Sequence, residues 1–213
     1  MRSAGSLVRR ALAAIGFTQP DEKISADAQL YWTATRGRRW KSDSHWRDSD
    51  VFDGRDLWTR IGERHLRTFE CGARMVEFAR PWHRVVEWGC GGGANAVHFA
   101  PRCTEFVGVD VSQESLDECG RQIAGVCDTP FRPVLIEVSE PERATAEIGD
   151  GCDIFLCCYV FELIPSPEYG VRLLRIAHDL LSPGGLALTE IKYDEAVSGR
   201  DRAAGRTGRA LPR

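Results

Sequence analysis

One stretch limits what this chain can fold into more than any other. Val85-Val86-Glu87-Trp88-Gly89-Cys90-Gly91-Gly92-Gly93 passes from an apolar run through an acid into a cluster of glycines. Two β-branched residues running into glycines read as a strand that ends in a turn. Glycine has no Cβ and reaches positive φ cheaply, so four glycines in five positions let the backbone bend sharply and a ligand lie against the main chain. Ala94-Asn95-Ala96-Val97-His98-Phe99-Ala100 follows and reads as helix, which would present unpaired N–H groups at its positive end. Strand, glycine turn and helix in that order point to nucleotide-type ligands.

From Arg84 onward, short apolar runs alternate with helical segments, the pattern of a parallel sheet built from βαβ units. The second run, Glu105-Phe106-Val107-Gly108-Val109-Asp110, ends in an acid, and a helix capped by Ser112 follows, with Leu116, Cys119 and Ile123 on one face. The third run, Pro133 to Val138, leads into Ser139 and Glu142, whose spacing is that of a capping box, and the helix after it should stop at Gly149. The fourth, Cys152 to Phe161, is almost wholly apolar, as a central strand buried on both faces must be. A helix from Ser166-Pro167 to Leu181 precedes Ser182-Pro183-Gly184-Gly185, and Leu186 to Tyr193 is the fifth run.

Before the sheet, residues 1–20 and a segment from Ser25 carrying Leu30, Tyr31 and Trp32 read as short helices, and Asp56 to Ala79 keeps a 3.6-residue period through Leu57, Trp58, Ile61, His65, Phe69, Ala73 and Val76. Five of the six tryptophans precede residue 83. That aromatic load fits either a lid over a flat or cationic ligand or plain core packing, and the sequence leaves both open. Residues 34–56 carry a basic cluster (Arg36, Arg38, Arg39, Lys41) beside an acidic one (Asp43, Asp48, Asp50, Asp53). The acids blunt the field that a nucleic-acid patch would need. Beyond residue 193 the chain is rich in arginine and poor in apolar side chains and should not fold by itself.

A net charge of −3 and an isoelectric point near 6.0 give no general attraction to nucleic acid or anionic lipid. No apolar run spans a bilayer and the first residues lack a secretory pattern, so a cytoplasmic protein with no membrane partner is expected. Eight cysteines form no C-x-x-C and no zinc-finger spacing with histidine. Reduced, buried thiols and no metal are the expectation. If Cys157 and Cys158 lie on a strand they face opposite ways, and one of them can face a cavity.

Two ligand classes suit a glycine turn with an acid ending the next strand. Gly89, Gly91 and Ala94 satisfy the dinucleotide pattern G-x-G-x-x-G/A with Asp110 about 20 residues on. Glu87-Trp88-Gly89-Cys90-Gly91-Gly92-Gly93, however, resembles the first motif of class I S-adenosylmethionine-dependent methyltransferases, E/D-x-G-x-G-x-G. The likeness extends over Val107 to Ser112, Phe155 to Ile164 and Leu180 to Leu188, four motifs in order over roughly half the chain.

That resemblance implies an α/β fold: a Rossmann-like, doubly wound, mostly parallel sheet with helices on both faces and a helical N-terminal cap. The family's sheet commonly has seven strands, and only five are read here before the tail, so either the C-terminal strands are missing or another subunit of a homo-oligomer is expected to cover the exposed sheet edge. Three segments follow: an aromatic-rich cap (1–80), a cofactor-binding core (81–193) and an Arg/Gly-rich tail (194–213).

With S-adenosyl-L-methionine as cofactor, the resemblance gives each residue a role. Gly89, Cys90, Gly91 and Gly93 would carry its methionine part, with Glu87 supporting the loop and the ammonium. Asp110 would accept the ribose hydroxyls, a task suited to an acceptor-only carboxylate. Val111 would lie on the adenine, Ser139 and Glu140 would stand where the adenine amino group is often recognised, and Cys157 and Tyr159 would flank the transferring methyl. Candidate bases for an acceptor proton are His45, His65, Tyr159 and Glu162. No Asn/Asp-Pro-Pro-Tyr/Phe motif follows the fourth run, so a small-molecule acceptor is expected. A non-catalytic or truncated cofactor-binding protein and an NAD(P)-dependent oxidoreductase are the alternatives.

Overall fold

The computed structural model describes residues 20–33, 46–49, 56–149 and 151–191. The expected helix within residues 1–20 lies almost wholly outside these residues, and the basic cluster at 36–41 and the tail beyond 193 lie wholly outside them. Five strands form one parallel sheet: β1 (Trp82–Trp88), β2 (Cys103–Asp110), β3 (Phe131–Leu135), β4 (Cys152–Cys157) and β5 (Leu181–Thr189), in the order β3-β2-β1-β4-β5. Around them lie α1 (Asp21–Thr33), α2 (Leu57–Met75), α3 (Ala96–Phe99), α4 (Gln113–Ala124), α5 (Arg143–Ile148) and α6 (Pro167–Leu180). The winding reverses between β1 and β4, which opens a crevice at the carboxyl ends of these two strands.

Successive residues of a strand point to opposite faces, and the core divides accordingly. Val85, Phe106, Ile154 and Leu156 pack with Leu66 and Phe69 of α2, Phe99, and Leu116, Cys119 and Ile123 of α4. Val86, Trp88, Val107, Val109, Phe155 and Cys157 pack on the other face with Ala144 and Ile148 of α5 and Leu173, Ile176 and Leu180 of α6. All six β4 residues are buried, which is why its sequence does not alternate. Each large apolar side chain so buried contributes about 1.5–3 kcal/mol.

Local signals set the element ends. The Ser112 hydroxyl accepts the Ser115 N–H, and Ser166 accepts that of Tyr169 just before Pro167, so both expected caps form. The Ser139/Glu142 capping box does not form. The helix starts at Arg143 with Glu142 at its N-cap, while the Glu142 carboxylate ion-pairs with Arg172 and the Ser139 carbonyl accepts from the same guanidinium. Gly149 ends α5 at φ 72°, as expected. Helix α2 stops at Met75, short of Ala79, because the chain reverses through Glu77 at φ 55°. The third strand occupies Phe131–Leu135 and ends before Val138, since α4 delivers the chain to the sheet earlier than the apolar run implies. The Ser182-Pro183-Gly184-Gly185 break sits inside β5 as a bulge: Leu181 pairs with Cys152, and pairing resumes at Leu186 with Ile154.

Asp153 ties the sheet to the segment before it. Its Oδ2 accepts the N–H groups of His83 (2.7 Å) and Arg84 (3.1 Å), and its other oxygen ion-pairs with Arg80. A buried carboxylate is thereby satisfied at the start of β1.

Candidate cofactor and active site

The turn after β1 is built as its sequence implies. Gly89, Gly91 and Gly93 all have positive φ (68°, 49° and 87°), and the Gly89 N–H returns to the Val109 carbonyl at 2.7 Å. The loop thus lies against the end of β2, where Asp110 Oδ2 accepts the Gly91 N–H at 2.9 Å and Oδ1 the Ser112 N–H at 3.0 Å. Burial raises the Asp110 carboxyl above its ordinary value, and these N–H groups oppose the rise. Each oxygen retains a second lone pair for an incoming donor.

Above this turn lies a cavity of about 180 Å³. Its floor is Glu87, Gly89, Cys90, Gly91, Asp110 and Val111, and Tyr159 closes one side at φ 59°. The cavity therefore brings together seven of the residues singled out from the sequence. Six others, His65 among them, stand off its wall. Gly93 packs under the loop against Cys119. Cys157 belongs to the core face of β4 with Trp88 and Phe155, and Cys158, one residue on, lines the cavity instead. Ser139 and Glu140 are exposed, Glu140 pairing with Arg143, while Ile136 and Val138 form that wall. Glu162 is exposed. His45 lies outside the described residues.

The aromatic side chains of the N-terminal segment divide between core packing and the surroundings of the cavity. Trp58 is buried, and Trp82 packs edge to face on Phe69 at 5.2 Å, both as core. Trp32 of α1 lines the cavity beside Ala28, and Trp46 lies so close to Gly92 that a Cβ there would meet its ring at 2.8 Å. Gln29 fixes α1 over the site by accepting the Val138 N–H through Oε1 at 2.7 Å. Gly62 lets α2 approach the loop, since a Cβ would lie 1.8 Å from the Ala94 carbonyl oxygen.

One network was hidden from sequence spacing. Asn95 Nδ2 donates to Glu87 Oε1 at 2.7 Å, and His65 Nδ1, from α2, meets Asn95 Oδ1 at 2.8 Å. All three residues are buried, and Glu87 Oε2 has no hydrogen-bond partner among the described residues. Desolvation pushes the Glu87 carboxyl up to about 8, the Asn95 hydrogen bond resisting and the Asp110 charge adding to the rise. An unpaired, buried carboxylate oxygen at the bottom of a cavity is a site for a cationic donor. Glycine turns open to a backbone-hugging ligand, the Asp110 acceptor and this orphan oxygen together fit a nucleoside carrying an ammonium group.

Comparison with known proteins agrees with that chemistry. A family model described as a methyltransferase domain matches residues 86–187. A carboxy-S-adenosyl-L-methionine synthase of Methylococcus capsulatus is 29% identical over 119 residues, covering 54% of this chain and 47% of that protein. A ubiquinone biosynthesis O-methyltransferase of Ruegeria pomeroyi is 31% identical over 112 residues, covering 49% of this chain and 39% of that protein. The chain thus spans less than half the length of these two relatives. Among solved structures, magnesium protoporphyrin IX methyltransferase from Synechocystis PCC 6803 with bound SAM shares the fold at TM-score 0.51 and 18% identity, covering 78% of this chain and 74% of that one. Residues 86–187 thus match the methyltransferase-domain model, and the sheet and glycine turn they build resemble those of class I S-adenosylmethionine-dependent methyltransferases, in keeping with S-adenosylmethionine as the cofactor.

Proposed function

We propose that this chain transfers the methyl group of S-adenosylmethionine to an O, N or C atom of a small-molecule acceptor. The observation that carries the reading is the pair of acids at the ends of β1 and β2, buried Glu87 with an orphan oxygen and half-buried Asp110 beside the Gly91 N–H, on the floor of one cavity. In this reading Glu87 receives the cofactor's ammonium, Asp110 receives the ribose hydroxyls, and Val111, Ile136 and Val138 hold the adenine by apolar contact. The bound sulfonium supplies an electrophilic methyl group. The chain's own task is to hold the acceptor in line with it and exclude water, and such positioning can supply up to ~7–11 kcal/mol.

Tyr159 is the proposed acceptor-side residue. It lines the cavity, its hydroxyl receives a hydrogen bond from Arg64, and its ring lies 5.3 Å from that of His65. The small-molecule class is supported by the relative named for ubiquinone biosynthesis and by the net charge of −3, which offers no generic affinity for phosphate backbones. Residues 1–80 act as the cap over the core at 81–193. Among the described residues no helix is long and apolar enough to cross a membrane.

Labelled methyl transfer in native lysate, with mass identification of the product, tests the reading. A labelled small molecule whose formation is lost in Asp110→Ala is the expected result. Label found only in nucleic acid or protein, or no label transferred although the cofactor binds, would refute it.

A further inference from the structure

The polar network continues past the cofactor floor and ends in an arrangement that methyl transfer does not require. Asn95 offers its amide N–H to Glu87, so its carbonyl oxygen faces His65 and takes the proton of Nδ1. That contact fixes the imidazole tautomer and turns the Nε2 lone pair, which has Arg64 as one neighbour, to the far side. There it faces Glu190 Oε2 at 3.4 Å, another acceptor, buried and without a hydrogen bond among the described residues. Cys158 Sγ completes the group, and the three ligand atoms all lie within 4.8 Å of one another. An imidazole nitrogen, a carboxylate oxygen and a thiol sulfur are thus gathered at the spacing a bound cation can span.

We propose that His65, Cys158 and Glu190 form a three-ligand site for a divalent cation of the zinc type. Nitrogen, sulfur and oxygen donors suit zinc in preference to magnesium or calcium, and three protein ligands with an open fourth position are the form that catalytic zinc takes. Ligand atoms around tetrahedral zinc stand roughly 3.3–3.7 Å apart. The His65 and Glu190 atoms already have that separation, and the sulfur needs to move by about 1 Å at most.

The three residues come from separate elements that the fold holds in place. His65 is on α2, Cys158 follows β4, and Glu190 follows β5 with its N–H on the Cys157 carbonyl at 2.9 Å. The Asn95 contact is the outer-shell hydrogen bond that orients metal-bound histidines. Arg64 also approaches Nε2, at 3.3 Å, but it holds the Tyr159 hydroxyl more closely and can keep that bond while a cation takes the lone pair. Binding expels the Cys158 thiol proton to solvent as the sulfur–metal bond forms. Cys158 and the neighbouring Tyr159 both line the cavity, so the site borders it. Only the site's use, to activate an acceptor hydroxyl or thiol, rests on the methyltransferase reading.

The full chain, stripped with chelator, is titrated with Co²⁺ and then with Zn²⁺, with absorption and thermal unfolding as readouts. One equivalent of Co²⁺ should give a thiolate-to-metal charge-transfer band that Zn²⁺ abolishes. Cys158→Ser should remove that band, whereas Cys71→Ser, which alters an exposed thiol, should leave it. Glu190→Gln, at a partly exposed position, and Asn95→Ala should each weaken binding by about 10–100-fold. No stoichiometric Co²⁺ or Zn²⁺ binding by folded protein, or a band that survives Cys158→Ser, overturns the proposal. S-adenosylmethionine titration of the stripped protein reads the cofactor site separately, so failure of one claim is distinguishable from failure of the other.

Discussion

Glu87→Gln should make this protein more stable at alkaline pH while weakening its hold on the cofactor. Burial raises the Glu87 carboxyl from 4.5 to about 8. Below pH 4.5 the group is protonated whether the chain is folded or not, and the stabilisation associated with the raised value is fully present. As pH rises the unfolded chain ionises first while the folded one keeps its proton, so stability falls until the folded group titrates near 8. At about 1.4 kcal/mol per unit, the loss over that interval is about 5 kcal/mol. Glutamine keeps the shape and still accepts the Asn95 hydrogen bond, but it has no charge to bury. Urea unfolding followed by tryptophan fluorescence at several pH values between 4.5 and 8 should show the variant gaining on the wild type steadily, by about 4–5 kcal/mol in all. Asp110 titrates in both proteins and largely cancels from the difference. Saturating S-adenosylmethionine should flatten the wild-type curve, because an ammonium beside Glu87 favours the carboxylate. A wild-type-minus-variant difference that does not change with pH would refute the reasoning.

Other perturbations test other joints of the fold. Gly62→Ala places a methyl group 1.8 Å from the Ala94 carbonyl oxygen, against backbone that cannot yield; thermal unfolding should register a loss of about 3 kcal/mol or more, and cofactor affinity should fall with it. Asp153→Asn gives both N–H groups at the start of β1 a neutral acceptor in place of a charged one and breaks the Arg80 pair; chemical denaturation should show a loss of about 2–3 kcal/mol, less than for a fully buried pair because Arg80 is partly exposed. Gly89→Ala combines φ 68° with a 2.4 Å approach to Val160; calorimetry should find cofactor binding reduced more than tenfold, about 1.4 kcal/mol, with less effect on unfolding than Gly62→Ala.

The sequence carried the sheet well, because buried parallel strands leave uninterrupted apolar runs and because the caps at Ser112 and Ser166 act within three residues. It carried the floor of the site for the same reason: Glu87, the glycines and Asp110 are set by strand ends one βα unit apart. Cys158 in place of Cys157 on the cavity wall depended on where β4 ends, and a one-residue change of register exchanges the two faces. Ser139 was a plausible cap on spacing alone, but Arg172, 33 positions away, holds its carbonyl and Glu142 instead. The His65–Asn95–Glu87 network joins α2 to the glycine loop across 30 and 8 positions. The 3.6-residue period of α2 shows only that His65 faces inward, and the partner it meets there is decided by packing.

The central claim, that this cavity is built for S-adenosylmethionine, is tested most directly by calorimetric titration of the wild-type chain and Asp110→Ala with S-adenosylmethionine, S-adenosylhomocysteine and NADPH. Both sulfur compounds should bind the wild type and NADPH should not. Loss of hydrogen bonds to a charged acceptor, at about 1.5–3 kcal/mol each, should weaken the variant on the order of a hundredfold. Binding of NADPH with no response to either sulfur compound would contradict the account.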